Sequence, residues 1–186
     1  MTLRDLVVVR LGVAVNLVIG QIVAALLLPV YLDAVGTMLV AALVGWRAAI
    51  VAGLTSQVLA AVLSGNFTWL PFGVVQIVIA LYAAAAARAG VFRRLGTALP
   101  AGFLLGALAG GTAAPIAYYF FGGATAGGVT WLTALQRALG VRLSTAVYVS
   151  SLSTDLLDKT IAFGLVCMVL RTLPSHLATR FPALAR

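Results

Sequence analysis

The residues best equipped for chemistry sit in and just before the last apolar run of the chain. Arg142, Tyr148, Ser151, Asp155 and Lys159 follow one another at intervals of six, three, four and four positions. That is close enough to the helical repeat to form one polar stripe, with Asp158 beside it. A charge at the centre of a membrane helix costs about 2.5–3.5 kcal/mol on insertion scales, so the stripe is expected to face other helices rather than lipid. Asp155 and Lys159 stand at i and i+4 in the favourable order, so one reading is a structural ion pair of Lys159 with Asp155 or Asp158. The other is functional: Tyr148 to Asp155 line a ligand cavity, while Asp158 and Lys159 brace its floor or couple to a partner. Both can hold together.

Other apolar runs bring polar and aromatic groups to a similar depth. Asp33 opens the second run, Asn66, Thr68 and Trp69 form the turn before the fourth, Gln76 lies one to two turns inside it, and Tyr118 and Tyr119 end the fifth. A mostly apolar pocket with a few convergent polar groups is what a small organic ligand requires. The candidate binding residues are therefore Asp33, Asn66, Trp69, Gln76, Tyr118, Arg142, Tyr148, Ser151 and Asp155, with hydrogen bonds orienting the ligand and aromatic faces stacking on its ring. The plainer alternatives are that Trp69, Tyr118, Tyr119 and Trp131 form an interfacial aromatic belt and that Asp33 caps a helix.

The elements that must position these groups are apolar helices. The chain has 186 residues, 63% of them hydrophobic and 9% charged, with a mean hydropathy of +1.14. A soluble domain is roughly half apolar and about a quarter charged, so the solvent expected here is lipid. Apolar runs at 6–29, 34–46, 48–65, 70–87, 97–121 and 144–171 predict an all-α bundle of six transmembrane helices forming a single integral membrane domain over 1–186. The second run covers only about 20 Å as a helix, less than the hydrocarbon thickness, and is expected to be tilted, broken or sheltered by neighbours. The N-terminus lacks a clear cleavage site before Pro29 and reads as a retained first span.

Charge placement orients the bundle. Arg4 and Arg10 precede or enter the first span, Arg47 joins the second and third, Arg88, Arg93 and Arg94 join the fourth and fifth, and Arg171, Arg180 and Arg186 follow the sixth. The positive-inside bias then puts both termini in the cytoplasm of a multi-pass cell-membrane protein. These basic residues lie in connections, so the net charge of +8 is explained by topology, with no nucleic-acid partner. Arg137 and Arg142 are the exceptions, in a long connection on the other side. TWLTALQRAL there can lie as an interfacial amphipathic helix with Arg137 snorkelling to headgroups.

Small residues recur every four positions: Gly12, Asn16, Gly20 and Ala24 in the first span, Ala48 to Ser64 in the third, and Gly102, Gly106 and Gly110 in the fifth. In lipid such stripes allow close approach of helices, within the chain or with a partner.

Catalysis lacks its parts. The chain has no Gly-rich phosphate loop and no glutamate, one histidine, His176, in the basic tail, and one cysteine, Cys167, inside the last run, where it reads as a packing residue. Zinc or triad chemistry is not expected, nor is any metal or other cofactor.

Two stretches, YLDAVGTMLVAALVGWRAAIVAGLTSQVLAAVLSG from Tyr31 to Gly65 and STDLLDKTIAFGLVCMVLRTLP from Ser153 to Pro174, resemble S components of energy-coupling factor transporters. The resemblance is strongest at Leu-Asp-x-x-Gly-Thr entering the second span and at Asp-Lys in the sixth. It implies a six-helix, non-enzymatic subunit that captures a vitamin or similar micronutrient from outside and docks on a transmembrane coupling protein with two ATPase subunits. It also implies a cavity near the outer face, built by the first, third and fifth connections with the outer ends of the last three spans. Family members often dock through an Ala-x-x-x-Ala element of the first helix; Gly12, Asn16 and Gly20 occupy that place here. Two rival readings are a membrane sensor module, which needs an output domain, and a solitary small-solute channel or transporter, with Asp155, Asp158 and Lys159 as an ion relay. No inverted repeat supports the latter.

Overall fold

The computed structural model describes residues 2–26, 28–123 and 129–173. Among them the chain is helical, with seven α-helices: α1 Leu3–Ala25, α2 Val35–Leu43, α3 Trp46–Ser64, α4 Gly73–Arg88, α5 Leu95–Phe121, α6 Val129–Ala138 and α7 Leu143–Thr172. A six-residue 3-10 helix, Phe67–Phe72, leads into α4. Arg180, Arg186 and His176 lie outside the described residues.

Four segments are long and apolar enough to cross a membrane: Leu3–Ala25, Trp46–Ser64, Phe67–Arg88 and Leu95–Phe121. α7, at 30 residues, is about 45 Å long, but it carries Asp155, Asp158 and Lys159, all buried. The distribution of side-chain size identifies the solvent. Large apolar residues such as Leu11, Ile22, Leu63, Leu104 and Leu157 face outward, while the interior is dominated by alanine, including Ala49, Ala52, Ala80, Ala83 and Ala109. Small residues inside and large ones outside is the pattern of helices packed in lipid, where apolar burial gives little drive for association and close backbone approach supplies it.

The expected second span departs from its run. α2 has nine residues, about 14 Å, and is too short to cross a bilayer alone. The first helix stops at Ala25, well short of 29, because Pro29 has no amide hydrogen and disfavours helical geometry before it. The chain then returns inward through a non-helical stretch in which Leu32 adopts a positive φ of 50°. α2 is thus sheltered, as its length requires: seven of its nine residues are buried.

Two close crossings fix the frame. α1 meets α2 at Gly12 and Gly36, where a Cβ on either glycine would run into the other's backbone. α5 lies antiparallel along α7, with Gly102, Gly106 and Gly110 against Lys159, Asp155 and Ser151 in descending order. At Gly106 an added Cβ would lie 2.6 Å from the Asp155 carbonyl oxygen. Cys167 is buried and its thiol donates to the Phe92 carbonyl oxygen at 3.1 Å. In the α5–α7 connection, α6 is tied down by Gln136 Nε2 donating to Ser150 Oγ at 2.8 Å, with Trp131, Leu135 and Arg137 exposed.

A glycine pair on α5 gives a direct test of this packing. Gly106→Val forces backbone apart and is expected to cost at least about 1–3 kcal/mol in reversible unfolding in detergent. Gly111→Ala, where no atom lies within 4 Å, is expected to be neutral or to gain about 0.5–1 kcal/mol from reduced chain entropy.

Candidate functional site

The stretch from 28 to 34 is non-helical and has no helical ladder to bind its backbone amides, so something else in the protein or solvent must bind them. Asp158, halfway along α7, does this. Its Oδ1 accepts from the amides of Tyr31 at 2.9 Å and Leu32 at 2.6 Å. Its Oδ2 accepts from Lys159 Nζ, and Lys159 also lies 3.3 Å from Asp155 Oδ1. The carboxylates therefore share one ammonium, and one of them also holds a loop 126 positions away.

A second polar cluster serves α2. Its N-cap position is Ala34, which offers no side-chain acceptor. Asn16 on α1 supplies it from across the interface: its Oδ1 accepts from the amides of Gly36 at 2.7 Å and Thr37 at 3.3 Å, the two groups an N-cap side chain normally satisfies. Asn16 Nδ2 donates to Thr37 Oγ1 at 2.9 Å and Ser56 Oγ at 3.0 Å, and the Thr37 hydroxyl donates to Gln76 Oε1 at 3.0 Å. Four helices, α1 to α4, are joined by these bonds.

Between the clusters, at the end of the bundle that carries the α1–α2 and α3–α4 connections, two hollows open on either side of the inward stretch. The first holds about 530 Å³ of empty space, mouth included, and is walled by the turn before α4 and by α4, α5 and α7, with Thr68, Trp69, Phe72, Val75, Gln76, Ile79, Ala113, Asp155 and Lys159. The second, about 640 Å³, lies between α1 and α3 and includes Asn16, Gly20, Gln21, Ser56 and Ser64. Tyr31, Asp33, Gln57 and Trp69 border both. The first hollow has the composition of a small-molecule site: apolar and aromatic walls with a few polar groups from separate segments.

Of the residues expected at a binding site, Asp33, Trp69, Gln76 and Asp155 meet at the first hollow. The other five do not line it. Asn66 spends its side-chain oxygen on the 3-10 helix, accepting from the Thr68 amide at 3.1 Å and hydroxyl at 2.6 Å. Arg142 is exposed at the start of α7. Tyr148 lies about 10 Å above Asp155 along the helix, Ser151 is buried beside Gly110, and Tyr118 packs edge-on against Tyr119. No described residue of the α5–α7 connection borders either hollow. Asp155, Asp158 and Lys159 form the ion cluster described above. Gly12 and Asn16, expected in a docking stripe, are buried against α2, and Gly20 faces Asp33. Tyr31, Gln57 and Phe72 line the hollow without having been singled out by the sequence pattern, and Lys159, expected to brace the floor, borders it as well. Gln57 carried a usable signal, being a polar residue inside an apolar run.

Comparison of the chain with protein-family models, with curated proteins and with solved structures found no match.

The ion cluster sets an ordering of variants. Lys159→Met leaves two neighbouring buried carboxylates without their cation and is expected to cost about 3–5 kcal/mol of stability, read as loss of folded, monodisperse protein or a lowered unfolding midpoint. Asp158→Asn keeps an oxygen for the Tyr31 and Leu32 amides and is expected to cost less.

Proposed function

We propose that the chain is the substrate-capturing membrane subunit of an energy-coupling-factor importer, an S component that takes up a small water-soluble vitamin or related micronutrient from outside the cell. In this reading α1, α3, the Phe67–Arg88 segment, α5 and α7 cross the membrane, and α2 with the inward stretch makes up the sixth passage. Both termini face the cytoplasm. The observation that carries the reading is the first hollow: groups from the α1–α2 stretch, α3, the turn before α4, α4, α5 and α7 converge on one mostly apolar space with a few polar and aromatic side chains, the composition of a small-molecule site.

Charge placement supports the orientation. Arg47, Arg88, Arg93, Arg94 and Arg171 are exposed at the helix ends opposite the hollows, which agrees with a cytoplasmic face there and a mouth facing outward. The chain acts as a binding protein, and ATP hydrolysis belongs to partner subunits. The buried Asp155–Lys159–Asp158 cluster favours a second reading, a transporter working alone with these groups on an ion path.

Capture and transport separate the two. A tagged chain purified from its own membranes is expected to bring down a transmembrane coupling protein with two ATPases, and solute uptake into vesicles is expected only when those partners and ATP are present. Uptake by vesicles containing this chain alone would replace the first reading with the second.

A further inference from the structure

The walls of the first hollow are unbalanced in charge. Asp33 and Asp155 border it directly, and Asp158 stands behind Lys159, the one ammonium present. Lys159 is already shared between Asp155 and Asp158. No arginine among the described residues lines either hollow. Carboxylates thus outnumber ammonium groups by two, and Asp33 feels Lys159 without pairing directly with it, since Lys159 pairs with Asp155 and Asp158. In a space bounded by apolar helices, screening by water is weak and such an excess is costly until a positive charge answers it or a carboxyl group takes up a proton.

Two amides in the same wall have unused capacity. Gln76 is 2% exposed and Gln57 4%. Gln76 is bonded through its Oε1 to Thr37, and Gln57 through its Nε2 to the Trp69 carbonyl at 3.1 Å. The other end of each amide makes no hydrogen bond within the described chain, although both residues border the hollow. Neither free end is sealed from solvent, since among the described residues Thr154 Oγ1 is the buried side-chain polar atom without a partner, so water or a ligand in the hollow can complete the two amides. Tyr31, Trp69 and Phe72 add aromatic surface, on which a cation gains further attraction.

Resting on the binding role proposed above, we infer that the ligand is an organic cation: a small, flat nitrogen compound whose positive charge lies toward Asp33 and Asp155 and whose polar edge meets the free ends of Gln57 and Gln76. An anionic ligand would find the only ammonium engaged and meet the carboxylates instead.

A matched set of indole probes tests the charge alone. The purified chain in lipid nanodiscs is titrated with tryptamine, the neutral alcohol tryptophol and the anion indole-3-acetate, following both heat of binding and thermal stability. Tryptamine is expected to bind about tenfold or more tighter than tryptophol, with indole-3-acetate weakest. Asp33→Asn is expected to bring tryptamine to within about twofold of tryptophol, while Asp33→Glu keeps the preference and shows that the position folds normally. If tryptophol or indole-3-acetate binds as tightly as tryptamine, and Trp69→Ala removes that binding, the inferred charge is overturned and the binding role stands. If none of the three binds, or Trp69→Ala leaves binding unchanged, the inference falls together with the use of this hollow as a ligand site.

Discussion

The hollow depends on one carboxylate. Asp158 accepts two backbone amides from the inward stretch on one oxygen and the Lys159 ammonium on the other, and so turns what would be an unsatisfied loop into a fixed wall. The stretch 28–34 has no helical ladder for its amides, and those of Tyr31 and Leu32 find their partner on α7. α2 imposes the same demand, since its first turn begins inside the bundle, and Asn16 meets it from α1. Without these two acceptors the short second helix and its leading strand of chain would have no reason to sit where they do.

This arrangement sorts the polar residues around the hollow into two kinds. Asn16, Thr37, Ser56, Asp158 and Lys159 are engaged with partners on other segments or in the cluster, and they tie the helices together. Asp33, Gln57 and Gln76 retain unused hydrogen-bonding or charge capacity, and all three border the hollow. Unfilled polar groups that border a hollow can be completed by water or by something that binds there. The glycine contacts between α5 and α7 make the division possible, because they bring Asp155 and Lys159 to the hollow on a helix that cannot slide away.

Much of the frame was legible in the sequence because apolar run length and lipid thickness are directly linked. α3, α4, α5 and α7 begin and end within a few residues of their runs, and the shortness of the second run already marked α2 as unable to span alone. The inward stretch was not legible: Pro29 signals the end of α1, but the acceptor that holds Tyr31 and Leu32 lies on α7, and local pattern carries no record of a partner so distant in sequence. At the site, helical spacing correctly put Asp155 and Lys159 on an inward face, yet it fixes a face without fixing a depth. Tyr148 and Ser151 share that side of α7 but sit two turns and one turn away from Asp155, with Ser151 held against Gly110. Asn66 shows a different limit, since an asparagine at a turn reads equally well as a ligand group and as a cap, and here the cap takes it. Gln57 went unnoticed because its neighbours Ala52, Ser56 and Ala60 read as a packing stripe.

The central claim is that these side chains surround a space which holds a small molecule. Native mass spectrometry of the chain, extracted gently from the cells that make it, addresses this most directly. The account predicts one small organic molecule bound per wild-type chain and its loss from Trp69→Ala. A wild-type protein carrying only lipid or detergent, or a bound molecule retained undiminished by Trp69→Ala, would contradict it.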